Sequence, residues 1–203
     1  MRLPTMLPPH PFPAAAGPSQ AFAAGLCLLL LLLLSSCTHV IEVHPRPSQP
    51  THTTIPRSLQ LVLSSLTVQG ADHMPGITLL EWRPRTLAPA LIHYVRERGT
   101  FPSVASDSGD LTLAVTTKLA LTSRAQYQYH ITLQAEMRET PRGVIKTYLA
   151  DRTVSGSTVR WVTASDREPI EAALQAALDD LLSQIEADRL LYIPKEPRRE
   201  ITP

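Results

Sequence analysis

The sequence predicts an α+β domain in which an antiparallel sheet of four to five strands carries two helices on one face, in the order β-α-β-β-β-β-α. Three observations predict this fold. Two adjacent runs alternate apolar and polar residues, which is typical of a hairpin with one wet face. Two other segments repeat apolar residues at helical spacing. Prolines cluster on both sides of these elements and are sparse between them.

The first strand and the first helix come at the start of this region. Leu59 to Val68 is rich in Leu and Val and predicts a strand, and a loop with two glycines and a proline follows it. The next segment predicts a helix that Thr86 can cap, with Pro89 tolerated in its first turn and Gly99 as its end. One face of this helix carries Leu87, Leu91, Tyr94 and Val95.

The remaining strands include the clearest pattern in the chain. Phe101 to Ala105 is a candidate short strand. Residues 111–121 and 127–137 alternate apolar with mostly polar side chains, which predicts an antiparallel hairpin. After a turn at Pro141 to Gly143, residues 144–154 predict a further strand.

The second helix follows a capping box, Ser165-Asp166-Arg167-Glu168, in which the first and last residues can satisfy each other's backbone amides. Its apolar stripe is expected on the dry face of the sheet and consists of Ile170, Ala173, Leu174, Ala177, Leu178, Leu181 and Ile185. Glu171, Gln175, Asp179 and Gln184 are expected outside, as solvated polar groups.

Composition limits the class of protein. The chain has 203 residues, of which 43% are hydrophobic and 18% charged, so it is apolar enough to fold and is not a disordered chain. The formal net charge is +1, which gives no field that would attract nucleic acid. We therefore expect one folded domain and no nucleic-acid partner.

An apolar run near the start predicts export. Ala21 to Leu34 is shorter than the roughly 20 residues of a membrane-spanning helix and fits the h-region of a secretory signal. The residues Leu34-Ser35-Ser36-Cys37 then form a lipobox, in which small residues admit the signal peptidase and the Cys37 thiol receives the lipid. The alternative is an uncleaved anchor followed by an ordinary cysteine.

Cleavage before Cys37 sets the expected domain boundaries. Residues 1–36 would be the signal peptide, 37–57 a lipidated cysteine with a proline-rich tether, 58–192 the α+β domain in the periplasm, and 193–203 a flexible tail. Cys27 would leave with the signal, so the domain would have no disulfide. An extended tether could hold the domain up to roughly 60 Å from the lipid.

The sequence has no catalytic signature: it lacks a G-x-S-x-G elbow, a P-loop, a G-x-G-x-x-G loop, an H-E-x-x-H pair and paired cysteines. We therefore expect no enzymatic activity, no cofactor and no metal, and we interpret His44, His52 and His130 as solvated residues. Trp82 and Trp161 precede the two helices and are candidates for partner contact, the alternative being that they cover the edge of the core.

Several phrases in the chain resemble the YajG-type family of bacterial lipoproteins. They are Asp110-Leu111-Thr112-Leu113, Tyr127-Gln128-Tyr129-His130-Ile131, Lys146-Thr147-Tyr148, Val154-Ser155-Gly156 and the second helix, all within Leu59 to Tyr192. The resemblance implies an acylated protein, carrying palmitate or a similar chain on Cys37. Because Thr38 rather than aspartate follows the cysteine, it also implies the periplasmic face of the outer membrane.

The function expected from these observations is a non-enzymatic, membrane-anchored lipoprotein that binds a periplasmic protein or cell-wall material. One alternative is an accessory subunit of a lipid or lipopolysaccharide transport system, which requires an apolar groove between helix and sheet. A hydrolase acting on the envelope is the third alternative, and it requires a cleft with convergent catalytic groups.

Overall fold

A computed structural model describes residues 37–70, 78–123, 126–156 and 164–193, and all of them belong to the unit Cys37–Pro203. The elements follow the order β1 (Cys37–Val40), β2 (Leu59–Gln69), β3 (Thr78–Glu81), α1 (Pro84–Arg98), β4 (Val104–Ala105), β5 (Leu111–Ser123), β6 (Tyr127–Glu139), β7 (Gly143–Ser155), α2 (Ala164–Ala187) and a 3₁₀ turn (Arg189–Leu191). The predicted α+β class is confirmed.

The three long strands β5, β6 and β7 form an antiparallel meander, as their alternation predicts. Leu111 pairs with Glu139 at one end of the hairpin, and Ser123 pairs with Tyr127 at the other. Side chains on one face, the dry face, are buried, including those of Leu113, Leu119 and Leu133. The other face, the open face, carries mainly Thr, Gln, Ser and Ala side chains. Period-two alternation therefore set both the register and the buried face.

The sheet is mixed rather than antiparallel throughout, which corrects the sequence prediction. Its strand order is β4-β2-β5-β6-β7, and β2 lies parallel to both β4 and β5. The reason is the crossover. The chain leaves the last residue of β2 and returns through α1, so that β4 and β5 start at the same end of the sheet as β2 and run in the same direction. A bulge at Ser64 resets the alternation in β2, so that Leu66 and Val68 still pack against the core.

Both helices pack on the dry face, and their apolar residues are those that the spacing predicts. In α1, Leu87, Leu91, Tyr94 and Val95 are at most 1% exposed. The helix begins at Pro84, so Thr86 lies inside the first turn, where its hydroxyl donates to the Arg83 carbonyl instead of capping. It ends at Gly99, whose φ of 80° is left-handed. In α2 the stripe from Ile170 to Ile185 is buried. Neither described helix is long and apolar enough to cross a bilayer.

Residues 41–57, here called the strap, are packed on the domain, so the predicted free tether over 37–57 is wrong. Ile41 and Val43 are 2% and 3% exposed, and Ile55 is fully buried. Buried and exposed residues alternate along 41–46, as in an extended chain with one apolar side. The prolines keep the strap extended, and its aliphatic side chains attach it to the core.

The strap connects the two ends of the domain. Its beginning lies by β3 and the start of α2, because the Ile41 amide donates to the Glu81 carbonyl (2.8 Å) and Ile41 and Asp166 line one small cavity. Its last part lies where β2 and β5 begin, at the Leu111 end of the sheet. We call these the β1 end and the distal end. Helix α2 begins at the β1 end, and its 24 residues rise about 36 Å toward the distal end.

Candidate functional site

The predicted lipidation site is the first residue of β1. Cys37 pairs with Thr78, and the parallel register continues to Val40 and Glu81. Within the described residues, no free linker separates this cysteine from the rest of the domain, because the packed strap follows β1 directly. Residues 1–36, which contain the predicted signal peptide, lie outside the described residues, and acylation of Cys37 stays a prediction.

The strap is also attached by polar contacts to both helices. The His44 amide donates to Glu171 Oε2 (3.0 Å), and the Ser48 hydroxyl donates to Asp179 Oδ2 (2.7 Å). Further along, the amides of Thr51 and Ile55 donate to the carbonyls of Arg98 and Thr100 at 3.0 and 2.8 Å. These contacts fix the register of the strap along the joint between α1 and α2.

A cluster of polar side chains lies beneath the strap in the joint between the helices. Arg98 is its centre: Nη1 donates to Asp179 Oδ1 (2.7 Å), and Nε and Nη2 donate to Glu186 at 3.1 and 3.2 Å. Tyr94 donates to the same Asp179 oxygen (2.6 Å), and the buried Thr100 donates to Glu186 (2.7 Å). We call Tyr94, Arg98, Thr100, Asp179 and Glu186 the interhelix cluster.

Burial and hydrogen bonding shift the pKa of two members of the cluster, Tyr94 and Arg98. Burial raises the pKa of Tyr94, and its hydrogen bond to Asp179 raises it further, so the tyrosine stays protonated. Burial alone would lower the pKa of Arg98, but the hydrogen bond to Glu186 and the nearby carboxylates outweigh it and raise the pKa. The expected position of Asp179 in solvent is wrong, since its carboxylate bonds Ser48, Tyr94 and Arg98.

The cluster's groups are committed to one another and to the strap, so the arrangement acts as a clamp between secondary-structure elements. A groove with a volume of about 510 Å³ lies beside it on the outer side of α2. Its walls carry Ser48, Gln175 and Asp180, and Asp180 is paired with Arg152 at 2.7 Å. The groove therefore offers hydrogen-bonding groups beside the apolar side chains of Ala172 and Ala176.

The outer edge of β7 is partly covered by side chains. Gln184 of α2 donates to the Leu149 carbonyl (2.9 Å), and Arg152 donates to the Asp151 carbonyl (2.8 Å). A bulge at Ile145 interrupts the regular pairing nearer the start of the strand. Capped carbonyls, bulges and charged side chains all hinder the addition of another strand to an edge.

One of the two predicted partner-contact residues, Trp82, lies in the core. Trp82 is 5% exposed and belongs to the core, and its Nε1 has no hydrogen-bond partner. This placement fits the alternative, in which the ring covers the edge of the core, because an indole at that depth presents little surface to a partner. Trp161 lies outside the described residues.

The histidines of the described ranges lie on several elements, among them the strap, α1 and β6. His130 lies on the open face, where Nε2 is 3.0 Å from Asp151 and Nδ1 is 2.7 Å from the Thr153 hydroxyl. His44 and His93 line one cavity of about 220 Å³ between the strap and α1. Within the described ranges no three His, Cys, Asp or Glu side chains are grouped so that they could hold a metal ion.

A second polar cluster holds the distal end together. Lys146 contacts Asp188 at 2.5 Å, and the hydroxyls of Tyr148 and Tyr192 share a hydrogen bond. Burial raises the pKa of both tyrosines. The hydrogen bond from Lys146 lowers the pKa of Asp188. Tyr192 is 1% exposed, so the segment after α2 is anchored by its side chain.

Comparisons with known proteins identify the fold. No family model matches the chain, and no curated protein matches it. The solved structure of protein XCC0632 from Xanthomonas campestris, assigned to DUF330, is similar with a TM-score of 0.55 at 18% identity, over 74% of this chain and 95% of that one. The two proteins therefore share a fold.

Two further structures are less similar. The hypothetical protein CT253 from Chlamydia trachomatis gives a TM-score of 0.47 at 9% identity, over 66% of this chain and 98% of that one. A PelC dodecamer from Paraburkholderia phytofirmans gives 0.37 at 8% identity, over 74% and 97% of the respective chains. At these scores neither structure adds to the assignment of the fold.

Proposed function

We propose that this chain is a non-enzymatic envelope lipoprotein of the YajG type, anchored through acyl chains on Cys37 to the periplasmic face of the outer membrane, whose domain binds another periplasmic component. One observation carries the proposal: the lipobox cysteine is the first residue of β1, and β1 leads directly into the strap that is packed on the domain. A lipid on this residue would hold the domain directly at the membrane surface.

The strap determines how an anchored domain would be oriented relative to the membrane. A free tether would let the domain turn in any direction at a distance of up to roughly 60 Å. A strap buried through Ile41, Val43 and Ile55 instead couples the acylated residue to the core. Lipidation would therefore give this protein a fixed orientation with the β1 end at the lipid, which suits a binding or assembly role.

The described chemistry supports a binding protein over an enzyme. A general base or nucleophile must face a cleft where a substrate can reach it. In the interhelix cluster, the three nitrogens of the Arg98 guanidinium are bound to Asp179, Glu186 and Ser183, and Tyr94 and Thr100 donate to the same carboxylates. These groups stabilise the helix pair and leave little capacity for catalysis.

The alternative role in lipid or lipopolysaccharide transport depends on an apolar groove between helix and sheet. At this interface Leu133, Ala135, Leu174 and Ala177 are all fully buried. Such close packing leaves no room there for an acyl chain, so we favour a protein or cell-wall partner over a lipid cargo.

Metabolic labelling with a fatty acid tests the anchor. We expect the wild-type chain to take up label and to fractionate with the outer membrane, and Cys37→Ser to lose the label and accumulate as an uncleaved precursor. Cys27→Ser is the matched control, because Cys27 precedes the lipobox and should not affect labelling. A wild-type protein that keeps its leader and an unmodified thiol would refute the proposal.

A further inference from the structure

The two edges of the main sheet differ in how they are protected. At the β7 edge, side chains cap two carbonyls, a bulge interrupts the pairing and Arg152 adds charge. At the opposite edge, β4 pairs only with the first two residues of β2, Leu59 and Gln60. Among the described residues, no strand pairs with the outer side of β2 after Gln60. We call residues 62–69 the free edge.

The free edge lacks two features that protect the edges of natural sheets. Residues 59–69 contain no charged residue and no proline. The bulge at Ser64 is one protection that is present, but the register with β5 continues after it from Ser65 to Gln69. Five consecutive residues beyond the bulge therefore form a regular, uncharged edge strand.

The backbone of the free edge determines what kind of molecule can bind there. The Leu59 amide donates to the Ser103 carbonyl (2.9 Å), on the β4 side of β2. Residues two apart along a strand turn their backbone groups to the same side, so Leu63 faces this side as well. Leu63 lies beyond the two residues that pair with β4. A row of N–H and C=O groups of this kind is satisfied by another extended backbone.

The side chains of the free edge favour an uncharged occupant. On the dry face, Leu63, Leu66 and Val68 pack against the core but are only partly buried. The residues paired with them in β5 are at most 1% exposed, and they are Val115, Thr117 and Leu119. An added strand with apolar residues at every second position would cover the remaining apolar surface. A charged side chain there would lose its hydration.

A second copy of the chain is disfavoured at the free edge. Helix α1 packs on β2 and β4, so it lies over this side of the sheet. If β2 of another copy paired here with its dry face on the same side, the two α1 helices would lie about 5 Å apart, which is the spacing of neighbouring strands. Packed helices need roughly 8–10 Å. Turning the second copy over would instead place its polar open face beside Leu66 and Val68. A single extended segment without a helix avoids both problems.

We propose that the free edge is the partner-binding surface of this protein, and that its partner is an extended segment of another envelope protein that pairs with β2 as an added strand. The segment is uncharged and carries an apolar side chain at every second residue, which packs beside Leu66 and Val68. The inference deepens the proposed function and rests on it for the location of the partner, because export is what brings the chain into the envelope.

Photo-crosslinking in intact cells tests the free edge. A photoreactive phenylalanine analogue is placed at position 65 or 67, where Ser65 and Thr67 are exposed, and in a control at position 147, where Thr147 is exposed on β7. We expect positions 65 and 67 to give adducts with the same partner protein, at sites two residues apart in one uncharged peptide. This spacing distinguishes a paired strand from other contacts. Position 147 should not give that adduct.

A charge on the free edge should block the partner. Thr67→Lys, combined with the analogue at position 65, should reduce the adduct about tenfold or more, because the lysine would have to be accommodated beside the added strand. Thr147→Lys is the matched control, since it makes the same change on β7 and should leave the adduct unchanged. Both threonines are exposed, so neither variant should shift the unfolding midpoint in urea. A reduced adduct then reports binding and not folding.

The other outcomes overturn the proposal. They are adducts with a lipid, with a second copy of the chain or with another segment of the same chain, adducts through a charged peptide or at sites without the two-residue spacing, an adduct that survives Thr67→Lys, and no adduct from either position. Fatty-acid labelling of the same cells separates the two proposals. A labelled protein without the adduct refutes the free edge alone, and an unlabelled protein with the adduct refutes the lipid anchor alone.

Discussion

Helix α2 makes two interfaces of opposite character along its length. Toward β6 and β7 it presents Leu174, Leu178 and Leu181, each at most 2% exposed, against an aliphatic sheet face. Toward α1 and the strap it presents Asp179 and Glu186, which bond Arg98. The first interface gains free energy from burial without fixed directions, whereas the second requires donors and acceptors at fixed distances.

The difference indicates which interface stabilises the domain and which positions its parts. Apolar packing tolerates small sliding of the helix, because many weak contacts can be exchanged. The interhelix cluster does not, since each misplaced group would leave a buried charge or hydroxyl without a partner. We infer that the sheet interface supplies most of the stability, and that the cluster sets the helix register and the path of the strap.

The largest effect is expected from a cavity in the apolar interface. Leu174→Ala should lower the free energy of unfolding by about 4 kcal/mol, because the fully buried side chain leaves a cavity that the sheet cannot close. Urea unfolding of the mature chain measures the change. The matched control is Gln175→Ala on the next residue, which loses one hydrogen bond to Ser48 and should cost less than about 1 kcal/mol. Similar losses in the two variants would contradict the comparison.

Removing the centre of the polar interface should have a smaller effect. Arg98→Met should cost about 3 kcal/mol, because Asp179 and Glu186 lose their cation. The cost is limited because the Asp179 side chain is 22% exposed and water can reach it. Adding Asp179→Asn and Glu186→Gln to Arg98→Met should restore part of the stability, as the uncompensated charges disappear. A triple variant less stable than Arg98→Met would show that the contacts, not the charges, dominate.

The apolar interface was predictable from sequence and the polar one was not. Alternation in residues 111–121 and 127–137 identified the buried face, and the spacing from Ile170 to Ile185 identified the inner side of α2. Arg98, by contrast, lies 81 residues from Asp179 and 88 from Glu186, and no local pattern links them. Long-range polar contacts depend on how the helices are placed relative to each other. The periodicity of apolar residues alone does not determine that placement.

The strap shows how composition can mislead. Its prolines predicted a free tether, but Ile41 and Val43 alternate with Glu42 and His44, and this short period-two pattern marks chain with one buried side. The parallel placement of β2 was missed for a related reason, since its apolar run fits either direction and only the crossover through α1 decides. The prediction of lipidation at Cys37 needs only local sequence, because the lipobox is a contiguous pattern.

Two buried threonines allow the stability contribution of packing to be distinguished from that of a side-chain hydrogen bond. Thr100 and Thr117 are both fully buried, but the Thr100 hydroxyl donates to Glu186 whereas that of Thr117 has no hydrogen-bond partner. Thr100→Val should therefore cost about 1 to 2 kcal/mol, and Thr117→Val should be neutral or stabilise by up to about 1 kcal/mol. Thermal and urea unfolding of the two variants measure this difference in sign. Equal destabilisation by both would mean that side-chain shape, not the hydroxyl, decides.

Lowering the pH should reduce the stability of the distal end gradually, and this is the smallest of the predicted effects. Hydrogen bonds from the Ser58 side chain and amide lower the pKa of Asp110, and the hydrogen bond from Arg57 lowers the pKa of Glu139. A carboxyl whose pKa is lower in the folded state adds stability above its unfolded pKa, about 3.9 for Asp and 4.3 for Glu, and loses it as the pH falls through the folded pKa. The unfolding midpoint in urea should thus be flat from pH 7 to about 5 and decline below about pH 4.

Asp110→Asn should make the fall of the unfolding midpoint below about pH 4 less steep, because one titrating carboxyl is removed. The neutral amide can still accept hydrogen bonds from Ser58. The exposed Asp107 lies in the same turn region, so Asp107→Asn is the matched control, because it removes a carboxylate there and keeps the hydrogen bonds between Ser58 and Asp110. Neither substitution touches the apolar interface of α2, so the Leu174→Ala loss should be the same at pH 7 and pH 4. A loss at Leu174 that grows in acid would show that the two interfaces are coupled, and that polar contacts at the distal end help to hold the helix against the sheet.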